Sequence, residues 1–171
     1  MTVSTIYFSD NFFSAGVTEI FNGNEEKIGS LDLKSAFSSS IDVLNKEGIL
    51  VVRARFPFFS RRWVIEDHED QRVGELKQRF SLFTKKFEYQ SHQHGIYEIE
   101  GEAFSREYQI IDEYEKEIAA FKKVSWLFEN PVYQLNRYAE KLSNEELIAA
   151  IMGVYMIHKR NNASAGGGAA T

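Results

Sequence analysis

One pattern recurs along most of the chain: a phenylalanine, three mostly polar residues, then an apolar or aromatic residue. It occurs at Phe13–Val17, Phe37–Ile41, Phe59–Trp63, Phe83–Phe87, Phe104–Tyr108 and Phe128–Val132, with successive phenylalanines 24, 22, 24, 21 and 24 positions apart. Two units match further upstream: VRARFPFFSRRWVI against LKQRFSLFTKKFEY aligns Arg53 with Lys77, Arg55 with Arg79 and Phe56 with Phe80. A repeat of this length is a supersecondary unit that buries its apolar face only by packing on its neighbours. The flanking segments are rich in Val, Ile, Phe and Tyr, and several alternate with period two, so each unit reads as a β-hairpin. YEIEGEAF is the clearest case, with Tyr97, Ile99, Gly101 and Ala103 on one face and Glu98, Glu100 and Glu102 on the other. A second set of polar stretches (NGNEEK, NKEG, EDHEDQR, SHQHG and DEYEKE) supplies turns for the opposite end.

Six hairpins predict a mainly β fold of about twelve strands in antiparallel order. Short strands with one apolar face are stable when their edges are removed, so the expectation is a closed antiparallel barrel. Pro57 requires an edge or a bulge, and Pro131 falls in a turn. Roughly eight strands already bring a barrel to the width its own side chains can fill, so a barrel of about twelve needs a plug.

The C-terminal segment LSNEELIAAIMGVYMIHKR supplies one. Ser143 followed by Glu146 is a capping-box signature, and the acidic start and basic end (His158, Lys159, Arg160) suit the helix dipole. From Leu147 to Ile157 the Tyr155 hydroxyl is the one polar side-chain group. A helix apolar all round must be surrounded on every side. Eleven residues span about 16 Å, well short of the ~30 Å of a bilayer core, which favours a buried central helix over a membrane span. The expected organisation is one domain, 1–160, with a central helix 144–158, followed by a flexible tail 161–171 of small residues.

The formal net charge of −5 excludes a nucleic-acid binder of the generally basic kind, so attraction for an anionic partner needs a local patch. The absence of cysteine excludes disulfides, thiolate catalysis and thiolate metal sites. Together with an N-terminus, MTVSTIYFSDNFF, that lacks the features of a signal peptide, it points to the cytoplasm.

VGELKQRFSLFTKKFEY, YEIEGEAFSREYQI, IAAFKKVSWLFENPVYQL and the terminal apolar helix together resemble the tubby C-terminal-like superfamily. Within it the likeness is greatest to bacterial relatives of the LURP-one-related proteins, with phospholipid scramblases as more distant cousins. It covers roughly residues 5–160. The resemblance implies a twelve-stranded barrel around a hydrophobic C-terminal helix. Tubby domains are known to bind phosphoinositides, but no position here matches their lipid-binding motif, and no residue is carried over. The missing cysteines and the short helix argue against scramblase-like activity.

Ordering the hairpins in sequence brings Arg61, Arg62, Lys85 and Lys86 to one barrel end, with Arg106 extending the cluster. Glu66, Asp67, Glu69, Asp70 and the DEYEKE turn fall at the other. These five cations are the candidate anion- or lipid-binding residues, for lipid headgroups or another phosphate-bearing partner. Solvated turns account for the same charges without a ligand. On the wall, Arg53, Arg55, Lys77 and Arg79 are expected to pair with acidic neighbours across strands. His92 and His94 share a face but show no third ligand, and the Glu66–Asp70 run lacks calcium-loop spacing, so neither metal nor cofactor is expected. No nucleophile elbow, phosphate loop, dinucleotide fingerprint or zinc-protease helix occurs. The sequence therefore favours a non-catalytic binding module, cytoplasmic and peripheral to the membrane, with a protein-interaction or scaffold domain as the alternative.

Overall fold

Twelve strands close into an antiparallel barrel in a computed structural model that describes residues 3–9, 16–34, 40–82, 84–102, 107–124 and 132–166. In chain order they are β1 (Ser4–Ser9), β2 (Gly16–Asn22), β3 (Lys27–Leu33), β4 (Ser40–Asn45), β5 (Leu50–Arg55), β6 (Trp63–Asp67), β7 (Arg72–Arg79), β8 (Thr84–Ser91), β9 (Gly95–Glu102), β10 (Glu107–Asp112), β11 (Glu117–Lys123) and β12 (Val132–Arg137). Each pairs with its neighbours in the chain, and β1 closes the ring against β12 with Ile6 opposite Leu135. One helix, α1 (Asn144–Gly166), follows. The six-hairpin barrel expected from the repeat is the fold observed.

The alternation in the sequence becomes an inside and an outside. Ile41, Trp63, Phe87 and Tyr108, the closing residues of the four middle repeat units, are all buried in the core. Val17, which closes the first unit, is exposed instead. Of the six opening phenylalanines, Phe13, Phe37, Phe83, Phe104 and Phe128 lie outside the described residues. Phe59 is 91% exposed. The outer wall is tiled with cross-strand ion pairs, as the charge pattern predicts. Arg53 takes Asp42 at 2.8 Å, Arg55 takes Glu66 at 2.9 Å, and Lys77 and Arg79 share Glu88 at 2.6 and 3.3 Å. Burial by itself would raise the Asp42 carboxyl, but hydrogen bonds from Arg53 and Lys34 outweigh it and the net shift is downward.

Four turns at the helix N-terminal end are copies of one device. Asn22, Asn45, Asp67 and Asp112 each accept backbone N–H bonds at their side-chain oxygen from the residues two and four positions on, at 2.9–3.1 Å. Three positions after each stands a residue with positive φ: Glu25 (64°), Gly48 (78°), Asp70 (59°) and Glu115 (60°). The register shifts by one residue just inside each of these turns. This is an Asx turn feeding a bulge that uses the left-handed conformation. The β8–β9 hairpin is built differently, with His92 and His94 in its turn and Gly95 at φ 94°.

The helix is enclosed. Leu147, Ile148, Ala149, Ala150, Ile151, Met152, Val154, Met156 and Ile157 are all buried among inward-facing wall residues. At its start, Ser143 Oγ accepts the Glu146 N–H at 3.0 Å, the first half of the expected capping box. The Glu146 carboxylate turns instead to the wall, where the buried Tyr89 hydroxyl donates to it at 2.6 Å. Burial, reinforced by that carboxylate, pushes the Tyr89 phenol up, so it keeps the proton it donates. Gly74 makes room for it, because a Cβ there would stand 2.4 Å from the Tyr89 oxygen. One turn along, Trp63 Nε1 donates to the Ala149 carbonyl at 3.0 Å. A Cβ on Gly153 would meet Trp63 Cδ1 at 2.4 Å and Leu76 Cδ2 at 2.8 Å. The helix does not end at 158 but continues through Gly166, because Arg160 and Asn161 anchor it to the barrel rim at Ser60 and Gln78. Residues 167–171 lie outside the described residues. Among the described residues no helix is long and apolar enough to cross a membrane.

Two outcomes test this construction. Gly153→Val forces a branched side chain into the Trp63 ring, and urea unfolding should show a loss of about 2 kcal/mol or more; Gly153→Ala should lose less, since alanine regains about 1 kcal/mol of helix propensity. Asp70→Gly relieves a left-handed residue whose conformation costs about 1–2 kcal/mol, partly offset by a freer unfolded chain, for an expected gain of about 0.5–1 kcal/mol in the same measurement.

Candidate functional site

At the helix C-terminal end two described stretches rise beside each other, 56–62 between β5 and β6 and 80–82 after β7. Pro57 begins a β-turn closed by the Ser60 N–H to the Pro57 carbonyl at 2.9 Å, which places the proline outside the ladder it would have broken. The third residue of that turn, Phe59, sits at φ 59°, a conformation that bulky side chains rarely adopt. Ser60 Oγ then accepts the Arg62 N–H at 3.0 Å and turns the chain into β6. In the second loop, Ser81 and Thr84 hydroxyls bond to each other at 2.9 Å. The helix end ties itself to the first loop through Arg160, whose guanidinium donates to the Ser60 carbonyl at 2.7 Å and lies 4.8 Å over the Phe56 ring. Asn161 ties it to Gln78 at 2.6 Å.

Between these parts lies a cleft of about 790 Å³. Among the described residues five cations line it, Arg61, Arg62, Lys77, Arg79 and Arg160, and no carboxylate does. Phe56, Phe80 and Ile157 supply its apolar walls. The cations are unequal. Arg62 is held by the buried Glu75 at 2.5 Å, and Lys77 and Arg79 share Glu88. Arg61 and Arg160 have no ion pair among the described residues, which leaves both charges directed at the cleft and its solvent.

The four expected residues that are described stand in different places. Arg61 and Arg62 line the cleft. Lys85 and Lys86 do not belong to a turn: β8 begins at Thr84, so period-two alternation sends them to opposite faces. Lys86 lies on the outer wall, bonded to Glu98 at 2.5 Å and to Glu100, and those bonds, Glu100 first, hold its ammonium above its ordinary value. It borders a separate hollow of about 280 Å³. Lys85 is half-buried on the inward side near His158. Arg106 lies outside the described residues. Reading the sequence missed Lys77, Arg79 and Arg160 as cleft residues. The first two look like wall charges and the third like a helix-dipole partner, and no local signal brings them together.

His158 also departs from expectation. It reads as a positive charge at the helix end, but it is half-buried, edge-on to Phe87 with ring centroids 5.2 Å apart, with Nε2 3.2 Å from the Tyr108 hydroxyl. Burial first and Lys85 second push its pKa down to about 4, so it is neutral near pH 7. Burial also pushes the Tyr108 phenol up to about 12. His92 and His94 stand in an exposed turn, and among the described residues no three His, Asp, Glu or Cys side chains are grouped to hold a metal.

A closed antiparallel barrel threaded by its own apolar helix, with a basic cleft at one mouth, is the class of protein this chain represents. A family model of the LURP-one-related proteins matches residues 5–156, and the chain belongs to that family. Among solved structures it is similar to an Arabidopsis thaliana protein known from X-ray analysis, with a TM-score of 0.59 and 13% identity over 91% of both chains, a likeness of fold. No curated protein matches.

The depressed His158 pKa makes stability depend on pH with a definite sign. The unfolded chain protonates this histidine near 6.5 and the folded one near 4, so stability is complete above 6.5 and is lost as pH falls through that window. His158→Leu should flatten the denaturant midpoint between pH 6.5 and pH 4 relative to the parent; parallel profiles would show that the histidine is not the titrating group.

Proposed function

We propose that the protein is a non-catalytic binding module whose basic barrel mouth receives the phosphate-bearing headgroup of an anionic lipid. The observation that carries this reading is the cleft itself: its described lining holds five cations and no carboxylate, and two of those cations, Arg61 and Arg160, have no ion pair among the described residues, in a chain of net charge −5. Anions are attracted to such a concentration of like charge, each cation near an anionic surface contributing about 1 kcal/mol. The guanidiniums of Arg61 and Arg160 offer forked donors suited to phosphate oxygens.

An enzymatic reading has little to stand on, since the barrel interior is filled mainly by apolar side chains and two of its polar groups are already committed, Tyr89 to Glu146 and Trp63 to Ala149. The scaffold alternative, in which exposed aromatics or strand edges recruit a partner, has only the aromatics to rest on, because the pairing of β1 with β12 leaves no open edge among the described strands. Kinship with the tubby C-terminal-like proteins, and a cytoplasmic setting peripheral to the membrane, are part of the same proposal; the lack of cysteine suits a reducing compartment.

Co-sedimentation with phosphatidylcholine vesicles, with and without phosphatidylserine, tests it. Binding should require the anionic lipid and decline with added salt. Arg61→Gln and Arg160→Gln should each weaken partitioning about fivefold, while Lys86→Gln, on the outer wall, leaves it unchanged. Sedimentation that ignores lipid charge, or that falls equally for all three variants, would remove the proposal.

A further inference from the structure

The cleft is flanked by side chains that no folding argument explains. Phe58 is 89% exposed, Phe59 91%, Phe80 91% and Leu82 76%. All four stand on the two loops that frame the cleft, at one end of the barrel. Isolated exposed apolar residues are ordinary, but a concentration of large ones at one place marks an interaction surface. The Phe58 and Phe59 rings pack on each other with centroids 4.2 Å apart and not on the barrel. Phe59 is held outward by a left-handed backbone, φ 59°, at a turn position where glycine would sit without strain.

Resting on the headgroup reading above, we infer that the Phe58–Phe59 tip and the Phe80–Leu82 tip are membrane-inserting prongs that enter the apolar boundary of an anionic lipid surface while the cleft cations engage its phosphates. The order of chemistry along each loop fits a bilayer. In the first, the apolar pair comes at the turn, and Arg61 and Arg62 follow on the way back to β6. In the second, Arg79 closes β7 and Phe80 comes next, beyond it. Each tip therefore presents apolar groups outermost and cations one or two residues behind. That sequence matches hydrocarbon lying below a layer of phosphates. Aromatic rings favour that boundary, and cationic side chains stay at headgroup level. Two separated tips with charge between them also fit a soft interface better than the continuous apolar core of a protein–protein contact.

The chain's lack of cysteine allows a direct test. Single Phe58→Cys, Phe80→Cys and Leu82→Cys variants, labelled with an environment-sensitive fluorophore, are mixed with phosphatidylcholine–phosphatidylserine vesicles. Tyr114→Cys, exposed in a turn at the opposite end of the barrel, is the reference. Labels on the tips should shift to the blue and be quenched by lipids brominated in their acyl chains, and the label at 114 should do neither. Phe58→Ser and Phe80→Ser should each weaken partitioning about tenfold and remove mainly the part of binding that survives high salt. Arg61→Gln removes mainly the salt-sensitive part.

If sedimentation depends on anionic lipid but the tip labels stay in water, insertion is overturned and the headgroup reading stands. If the vesicles are not bound at all, both fail. If the tip labels respond to a purified protein partner and not to vesicles, the surface belongs to that partner and the proposal is wrong.

Discussion

A helix that is apolar on every face has to be surrounded, and the rest of this molecule is arranged around that requirement. Twelve strands make a ring too wide for its own side chains, and the helix fills it. The fit is specific, not merely greasy. Gly153 admits the Trp63 ring, and the indole N–H then finds the Ala149 carbonyl. Gly74 admits the Tyr89 hydroxyl, which meets Glu146 at the helix start. These contacts set the depth and direction of the helix. Its C-terminal part consequently emerges at the mouth beside the 56–62 and 80–82 stretches, where Arg160 joins the cleft lining.

The two barrel ends divide the work. One is built from economical Asx turns, in which a single Asn or Asp side chain satisfies two backbone amides and a left-handed residue reverses the chain. The other carries the longer connections. Because β1–β12 pairing closes the sheet and the helix fills it, the exposed tips of the 56–62 and 80–82 loops are not needed to hold the core and can carry unusual chemistry. The exposed phenylalanines and the uncompensated arginines stand there together.

Charge follows the same division. On the wall cations are spent on neighbours, Arg53 on Asp42, Arg55 on Glu66, Lys86 on Glu98 and Glu100, and such exposed pairs contribute little to stability. Their effect is to leave the wall without a strong field. At the mouth Arg61 and Arg160 have no such partners among the described residues, so a negatively charged protein still keeps unneutralised cations together at one end.

The sequence by itself determined the architecture. The repeat at near-constant spacing marks hairpins, the period-two pattern assigns inside and outside, and an unbroken apolar run from Leu147 to Ile157 demands burial, all of which are local or regular signals. It also marked both sets of turns, though not the shared Asn22, Asn45, Asp67 and Asp112 device, which is legible only once the positive-φ residue three places on is seen. The site was legible in part. Arg61 and Arg62 could be named from their turn, whereas Lys85 and Lys86 were misplaced because one residue of strand phase sends neighbouring side chains to opposite faces. Lys77, Arg79, Arg160 and Phe80 become one cleft only when strand register and helix depth are set. Periodicity is written along the chain, but which distant side chains share a mouth, and which of them are already neutralised, is decided by packing in three dimensions.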